Sequence, residues 1–217
     1  MKITYIHHSG VMVELKEAVL LFDYWKGDFT FPTGKRRTVF ISHAHHDHYN
    51  PAVLEMDAMV IADASIPNRG KDMYSVHPGD VLKLDDLTVH VYGSTDEGVS
   101  FMVEADGKRI FHAGDLNYWH WRDESTYDEI KEAQSKFDAE IAKIPLLRLD
   151  LAMFPVDARM GSGFYEGADL FIAKFRPEYF LPIHFTSHIG RVDEFARSSQ
   201  NSTKVLRADL GISIFEI

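Results

Sequence analysis

The sequence contains no cysteine among its 217 residues. Disulfide bonds are therefore excluded from the fold, and thiolates are excluded as ligands of any metal ion. A transition-metal site in this chain has to be built from His, Asp, Glu and water.

Long apolar runs are also missing. No stretch approaches the roughly 18 to 20 consecutive apolar residues that a membrane-spanning helix needs. The first residues, MKITYIHHSG, lack a basic segment followed by an apolar one, so they do not resemble a secretory signal. These absences predict a cytoplasmic protein that does not associate with a membrane.

Positive charge is scarce: 23 Lys and Arg stand against 33 Asp and Glu, a formal net charge of −10. Proteins that bind nucleic acid usually present a basic surface, so this balance argues against nucleic acid as a partner. The sequence specifies no oligomeric state. Hydrophobic residues make up 45% of the chain, enough to build a core, and the length suits one domain over residues 1–217.

The first half of the chain has the pattern of short strands separated by turns. The β-rich runs Ile3 to Ile6, Val11 to Leu15 and Ala18 to Phe22 are joined by turn residues, which predicts consecutive hairpins. Asp106-Gly107 predicts a further two-residue hairpin turn. Val39 to Ile41 is short and wholly apolar, as expected of a strand buried on both faces.

The second half alternates helices with buried strands. From Ser125 to Ile144 apolar residues recur at steps of three or four, which predicts an amphipathic helix with Ser125 and Asp128 as its capping pair. Buried strands are predicted at Leu151 to Val156 and Tyr179 to Ile183. Strands followed by alternating helices and strands predict an α/β (α+β) protein in which two sheets pack face to face with helices outside.

Four of the twelve histidines fall within six residues, His43-Ala44-His45-His46-Asp47-His48. Four protonated imidazoles here would repel one another, and four buried neutral ones would need many hydrogen-bond partners. A divalent cation removes both difficulties, because neutral imidazoles and carboxylates become its ligands. In a tight loop His43 and His45 can face one ion while Asp47 and His48 face a neighbouring one, and His46 is left outside.

This segment resembles the HxHxDH signature of the metallo-β-lactamase superfamily. Three further segments are similar to motifs of that family and occur in the same order. They are Leu20-Leu21-Phe22-Asp23, whose acidic residue supports the histidine loop by hydrogen bonds; Phe111-His112-Ala113-Gly114-Asp115, whose aspartate bridges two metals; and Leu181-Pro182-Ile183-His184, which ends in a histidine ligand.

The resemblance implies a four-layer αββα sandwich of two mixed sheets, with the metal site along one edge of the sheets. It also implies the set of metal ligands, which is His43, His45, Asp47, His48, Asp115 and His184. His43 and His45 would hold one ion and the other residues a second, with Asp115 as the bridge.

The expected cofactor is one or two Zn²⁺ ions, with Mn²⁺ or Fe²⁺ as alternatives. The absence of cysteine excludes the thiolate-containing site of many antibiotic-hydrolysing members of this superfamily. It agrees with the all-His/Asp sites of glyoxalase II, RNase Z and the lactonases.

The chain departs from the family pattern at one point. The family has a third histidine ligand to the first metal, in a loop before the bridging aspartate. The corresponding segment here, Gly93-Ser94-Thr95-Asp96-Glu97-Gly98, contains no histidine. Asp96 is the preferred substitute, and Glu97 and His112 are alternatives; a further alternative is that the first metal is weakly held. Asp96 and Glu97 are equally compatible with being ordinary turn residues.

Several other residues are candidates for the surroundings of the site. His8 resembles a Gly-His-Ala/Ser turn of the lactonase-like and phospholipase-like branch. The possible pocket walls and rim are formed by Asn117, Trp119, His120, Trp121, Asp157, Arg159 and His188.

The predicted chemistry is metal-assisted hydrolysis, in which Asp47, Asp115 and His184 are the catalytic residues. The compact length favours a small-molecule substrate that is an ester, lactone or thioester. A phosphodiesterase or nuclease of the same fold, and a metal-binding protein with weakened catalysis, are the two alternatives.

Overall fold

The computed structural model describes residues 1–67, 72–185, 189–198 and 203–217. Their strands, in chain order, are β1 (Lys2–His7), β2 (Gly10–Glu14), β3 (Ala18–Phe22), β4 (Arg36–Ile41), β5 (Met59–Asp63), β6 (Met73–Val76), β7 (Val81–Leu84), β8 (Leu87–Gly93), β9 (Val99–Ala105), β10 (Lys108–His112), β11 (Leu151–Pro155), β12 (Tyr179–Ile183), β13 (Lys204–Val205) and β14 (Ser213–Glu216). The helices are α1 (Tyr127–Lys143), α2 (Glu166–Phe175) and α3 (Ile189–Ser198), with short 3-10 helices at Pro51–Glu55 and Ala158–Met160.

The strands form two mixed sheets of seven. The first has the order β14-β1-β2-β3-β4-β5-β6 and the second β13-β12-β11-β10-β9-β8-β7. Each sheet combines an antiparallel part with a parallel part: β3 to β6 are parallel in the first sheet, and β10 to β13 in the second. The predicted hairpins are confirmed, including the two-residue turn at Asp106-Gly107 between β9 and β10.

The main core lies between the two sheets, because alternate residues of each buried strand face opposite ways. In β4, Phe40 points into this core, whereas Val39 and Ile41 pack on the outer side of the first sheet. In β11, Met153 points inward and Phe154 packs against the helices. Two-sided burial explains why these strands are apolar runs without alternation.

The predicted architecture of two mixed sheets flanked by helices is confirmed, but the two outer layers differ. Phe137 of α1 and Phe171 of α2 belong to an apolar cluster on the second sheet. The outer side of the first sheet is covered by the 3-10 helix at Pro51–Glu55 and by aromatic residues of the preceding segment, such as Phe29 and Phe31. Within the described residues, no helix is long and apolar enough to cross a bilayer.

Some predicted details of the elements are wrong. The cap of α1 is Thr126, whose hydroxyl accepts a hydrogen bond from the Glu129 amide while the Glu129 carboxylate bonds back to Thr126. The expected pair Ser125 and Asp128 is therefore one residue out of register. Strand β6 was not predicted, because only two of its four residues are buried and the pattern is short.

Candidate metal centre

Strand ends from both sheets converge on one edge of the sandwich. His8 follows β1, Asp23 follows β3, the loop of residues 42–48 follows β4, and His184 follows β12. His8, Asp23 and His184 have left-handed backbone, with φ of 55°, 40° and 64°. This conformation is uncommon for residues other than glycine and concentrates at functional sites.

Four side chains form a first cluster, which we call the His8 group: His8, Asp47, His48 and His184. One ligand atom from each lies within 4.8 Å of those of the other three. His8, His48 and His184 are buried, and Asp47 is half-buried. His8, considered from the sequence only as a candidate near the site, therefore lies in the middle of it.

A second cluster, the His43 group, contains His43, His45 and Asp115. Asp115 lies between the two groups. Its Oδ2 is 3.4 Å from Nε2 of His43, and its Oδ1 is 3.1 Å from Nε2 of His48 and 3.4 Å from Nε2 of His184. All six predicted ligands are thus brought together in the predicted division, with Asp115 in the bridging position; their binding of metal stays a prediction.

Asp23 fixes the histidine loop, as the sequence motif implied. This fully buried carboxylate accepts hydrogen bonds from the Ser42 amide (2.8 Å) and hydroxyl (2.6 Å), and Nδ1 of His48 lies 2.8 Å away. Because the Ser42 hydroxyl donates to Asp23, its oxygen accepts from Nδ1 of His43 at 2.9 Å. Both imidazoles therefore carry their proton on Nδ1, which leaves the Nε2 lone pairs facing the site.

Asp157 does the same for His184. Its Oδ2 is 2.9 Å from Nδ1 of His184, and its carboxylate also accepts from Nε of Arg159 at 2.9 and 3.0 Å. Asp157 was expected at the rim, but its side chain is fully buried behind the histidine. Its place shortly after the end of β11 is the feature of the sequence that made Asp157 a candidate for the site.

Among the residues that the structure describes, three buried atoms at the centre have no well-aligned hydrogen-bond partner: Nε2 of His8, Nε2 of His48 and Oδ1 of Asp115, the last two lying 3.1 Å apart. An unpaired buried polar atom is destabilising, and native proteins rarely contain several together. Imidazole nitrogens and carboxylate oxygens are the donors that Zn²⁺ and similar cations bind. The residues present therefore fit a metal ion.

Burial and the neighbouring charges shift the pKa values of the side chains in the two groups. Burial alone would lower the pKa of His48, but the carboxylates of Asp115 and Asp23 outweigh it and raise the pKa to about 10. Burial also opposes ionisation of Asp115, yet the surrounding histidines hold its pKa well below the usual range. Burial lowers the pKa of His8 to about 4. The centre thus attracts positive charge strongly, and a cation would compete there with a proton on His48.

The segment that lacks the third histidine lies against the histidine loop. Gly98 (φ 72°) is so close that a Cβ would overlap the Ser42 carbonyl oxygen, which accepts a hydrogen bond from the Val99 amide. Oε2 of Glu97 is 3.3 Å from Nε2 of His45, whose Nδ1 is 3.0 Å from Nε2 of His43. Glu97 therefore approaches the outer nitrogen of His45.

The two other candidates for this role, Asp96 and His112, belong to neither of the two described clusters. Asp96 lines a cavity beside Asp115. His112 accepts a hydrogen bond from the Gly114 amide at Nδ1, so its Nε2 donates to the Ser9 carbonyl oxygen, and neither nitrogen is left for a metal.

That cavity, of about 210 Å³, opens directly onto Asp115 and His184. Trp119, Trp121 and Arg159 line it, as expected of pocket-wall residues. Two expected wall residues do not: Asn117 is buried against Met160, and His120 is buried with its Nε2 against the Gly163 carbonyl oxygen. His46 is exposed and touches the edge of Trp25, and His188 lies outside the described residues.

Comparison with known proteins agrees with this geometry. Residues 2–134 match the family described as the beta-lactamase superfamily domain. A UPF0173 metal-dependent hydrolase of Alkaliphilus metalliredigens is 32% identical over 140 residues, which cover 53% of this chain and 63%, less than two thirds, of that protein. A second UPF0173 metal-dependent hydrolase, from Methanospirillum hungatei, is 26% identical over 94% of this chain and 92% of its own.

A solved structure shows the same fold. Igni18, described as a novel metallo hydrolase from the archaeon Ignicoccus hospitalis, superposes with a TM-score of 0.66 over the whole of both chains, at 20% identity.

Proposed function

The chain belongs to the beta-lactamase superfamily, and we propose that it is a metal-dependent hydrolase acting on a small ester, lactone or thioester. The observation that carries this proposal is the cavity of about 210 Å³ that opens onto Asp115 and His184. A space of this size beside the candidate metal centre favours a small carbonyl substrate over a polymer. The net charge of −10 also argues against nucleic acid.

The fit of the donor atoms supports two zinc ions. The His43 group would hold one and the His8 group the other, with Asp115 shared between them. When bound, such cations lower the pKa of a water molecule towards 7 and polarise the substrate oxygen. The absence of thiolates also leaves Mn²⁺ and Fe²⁺ as possible occupants, because His and carboxylate ligands suit these ions as well.

The protein residues position the reactants. Asp47 is half-buried at the edge of the His8 group, and His8 and His48 hold its pKa below the usual range. It is therefore ionised at neutral pH and can accept a hydrogen bond from the attacking water, which fixes the direction of attack. Asp115 faces both groups and holds them at a fixed separation.

His184 is assigned to binding rather than to proton transfer. Its Nδ1 is engaged by Asp157, so the lone pair of Nε2 faces Asp115 and the centre. A nitrogen whose lone pair is committed to a cation cannot at the same time deliver a proton. The cavity is lined by the exposed Asp96 and Arg159, so solvent can protonate the departing alkoxide or thiolate.

A combined measurement of metal content and substrate range tests the proposal. We expect two ions per chain and turnover of a lactone, thioester or carboxylic ester. Cleavage of bis-p-nitrophenyl phosphate alone would indicate a phosphodiesterase instead. One ion without any turnover would indicate a metal-binding protein with weakened catalysis.

A variant pair then ties the activity to the centre. Asp115→Asn should reduce activity by more than the roughly 10- to 100-fold that follows loss of an outer partner of a metal ligand. Asp128→Asn, on the exposed face of α1, is the matched control and should behave as the unmodified protein. Full activity of Asp115→Asn would contradict the assignment. A cytoplasmic location without membrane association is part of the same proposal.

A further inference from the structure

The cavity next to the centre has walls that indicate more about the substrate than its size. Two indoles, Trp119 and Trp121, and one guanidinium, Arg159, line it. We propose, resting on the hydrolase function above, that the substrate carries one aromatic ring and a free carboxylate. The ring would pack on the indoles, and Arg159 would bind the carboxylate.

Trp119 is fixed as a rigid wall. Its indole N–H donates to the Asp115 carbonyl oxygen at 2.8 Å, and its ring meets His184 edge-on with centroids 5.5 Å apart. Trp121 lies nearly parallel to it, at 15° and 6.3 Å between centroids, on a left-handed backbone with φ 38°. A bulky residue in this conformation is held there at a cost in energy, which agrees with a role for its side chain at the site.

The spacing of the indoles decides where a ring can bind. Each ring–ring contact needs at least about 4.5 Å between centroids, so a ring inserted between two indoles would require about 9 Å. The observed 6.3 Å is too short, and a ligand ring must therefore pack on an outward-facing indole surface. An aromatic ring is favoured over a saturated one there, because offset and edge-to-face contacts add to simple burial.

The volume suits a substrate with one ring. An apolar protein cavity of roughly 150 Å³ accommodates benzene. The present cavity, of about 210 Å³, therefore has room for one ring with a small substituent.

Arg159 is prepared to receive an anion. A guanidinium has five N–H donors, and the carboxylate of Asp157 engages Nε and Nη2. Nη2 also lies 3.5 Å from Nδ1 of His184, but that nitrogen donates its proton to Asp157 and cannot accept one from the guanidinium. Nη1 has no protein partner within the part of the chain that the structure describes, so Nη1 and the second hydrogen of Nη2 form a fork that is open to a ligand. This edge matches the two oxygens of a carboxylate, and Asp157 holds it in place before the ligand arrives. Asp96 lines the same cavity and repels an anion placed beside it, which directs the carboxylate to Arg159.

The binding of small probe molecules to the zinc-loaded protein tests the preference for an aromatic carboxylate independently of turnover. The probes are benzoate, cyclohexanecarboxylate, which has the same charge on a saturated ring, and benzamide, which has the same ring without charge. Binding is followed by quenching of tryptophan fluorescence. We expect benzoate to bind about 3- to 10-fold more tightly than cyclohexanecarboxylate, and about tenfold more tightly than benzamide.

Three variants separate the contributions. Trp121→Leu should remove the preference for the aromatic ring. Arg159→Gln should weaken the binding of benzoate about tenfold. Arg148→Gln, which changes an exposed arginine paired with Glu178, should leave the binding of benzoate unchanged. Metal content is measured in each variant, and Arg159→Lys, which keeps the charge but loses the fork, replaces Arg159→Gln should that variant lose metal.

Two results would overturn the proposal. If cyclohexanecarboxylate binds as tightly as benzoate, the indoles do not select a ring. If Arg159→Gln binds benzoate as Arg148→Gln does, the carboxylate is held by the metal alone. Failure of the hydrolase function would show itself differently, as absence of turnover with every ester, lactone and thioester while the binding preferences remain.

Discussion

Glu97 offers the sharpest test of how the centre compensates for the missing histidine. Its Oε2 lies 3.3 Å from Nε2 of His45, while Nδ1 of His45 faces His43. The arrangement repeats the contacts of Asp23 with His48 and of Asp157 with His184, in which a carboxylate holds the nitrogen remote from the site. We therefore expect Glu97 to orient His45, and the His43 group to bind its ion through three protein ligands, which leaves a position open for water.

The size of the effect follows from exposure. The side chains of Glu97 and His45 are 59% and 45% exposed, so as an ion pair they contribute less than about 1 kcal/mol. Loss of a partner that orients a metal-bound histidine typically weakens metal binding about 10- to 100-fold. Solvent competes at this exposed site, so we expect Glu97→Ala to fall near the lower value, about tenfold.

Metal stoichiometry after chelator competition measures this, and the absorption spectrum of the Co²⁺-substituted protein reports on the coordination of each ion. Glu97→Ala should lose the ion of the His43 group first and retain the ion of the His8 group, because Glu97 pairs with His45, a member of the His43 group. Glu97→Gln should be intermediate, since an amide oxygen still accepts the hydrogen bond. Asp96→Ala is the control. Loss of an ion in Asp96→Ala, with Glu97→Ala unchanged, would refute this reasoning and restore Asp96 as the ligand.

Three further predictions address other contacts. His8→Ala should weaken binding of the ion in the His8 group, in a chelator competition, by more than the roughly 10- to 100-fold that follows loss of an outer partner, and an unchanged affinity would remove His8 from the ligand set. Gly98→Ala should lower both Tm and metal content, because the added Cβ overlaps the Ser42 carbonyl and displaces the histidine loop; a normal metal content would show that the loop does not depend on this approach. Asp150→Asn should reduce stability at pH 7 by about 1–2 kcal/mol. Burial raises the pKa of Asp150, but the Arg109 amide and Lys108 outweigh it and lower the pKa below 3.8. The ionised carboxylate therefore stabilises the fold at pH values above 3.8, the ordinary pKa of aspartate. This contribution disappears as pH falls through the lowered pKa of Asp150 in the folded protein. The Tm values of Asp150→Asn and the unmodified protein should converge as pH falls below the lowered pKa of Asp150, and a difference independent of pH would exclude the carboxylate charge as its cause.

The predicted ligands could be found from the sequence because the chemistry is concentrated at strand ends. His43 to His48 follow a short apolar run that is typical of a buried strand, Asp115 follows a further predicted strand, and the carboxyl ends of parallel strands meet at one edge. The order of the motifs then matched a known family. Strand periodicity thus predicted two packed sheets with helices outside, and the resemblance to that family implied the four-layer architecture and the six central residues.

Other features depend on contacts between distant segments. Glu97 and Asp96 are adjacent polar residues of one turn, and only the close approach of Gly98 to Ser42 determines which of them meets His45. Asp157 was expected at the rim of the site, and its burial follows from its contact with His184, which comes directly after the neighbouring strand β12. The one-residue shift of the α1 cap reflects the competition between two adjacent hydroxyl residues, which periodicity does not resolve.

The origin of the ligands has a consequence for the cohesion of the molecule. His8, Asp47 and His48 lie in segments that follow strands of the first sheet, whereas Asp115 and His184 lie in segments that follow strands of the second. A cation at the centre would therefore link the two sheets, which otherwise contact each other through apolar side chains. Each ion bound only by the native state adds roughly 2.7 kcal/mol when its free concentration is a hundred times the Kd. The supply of metal in the cell would then affect how long this protein persists as well as its activity. Without metal, the two sheets would separate more easily, and proteases could cleave the chain where they separate.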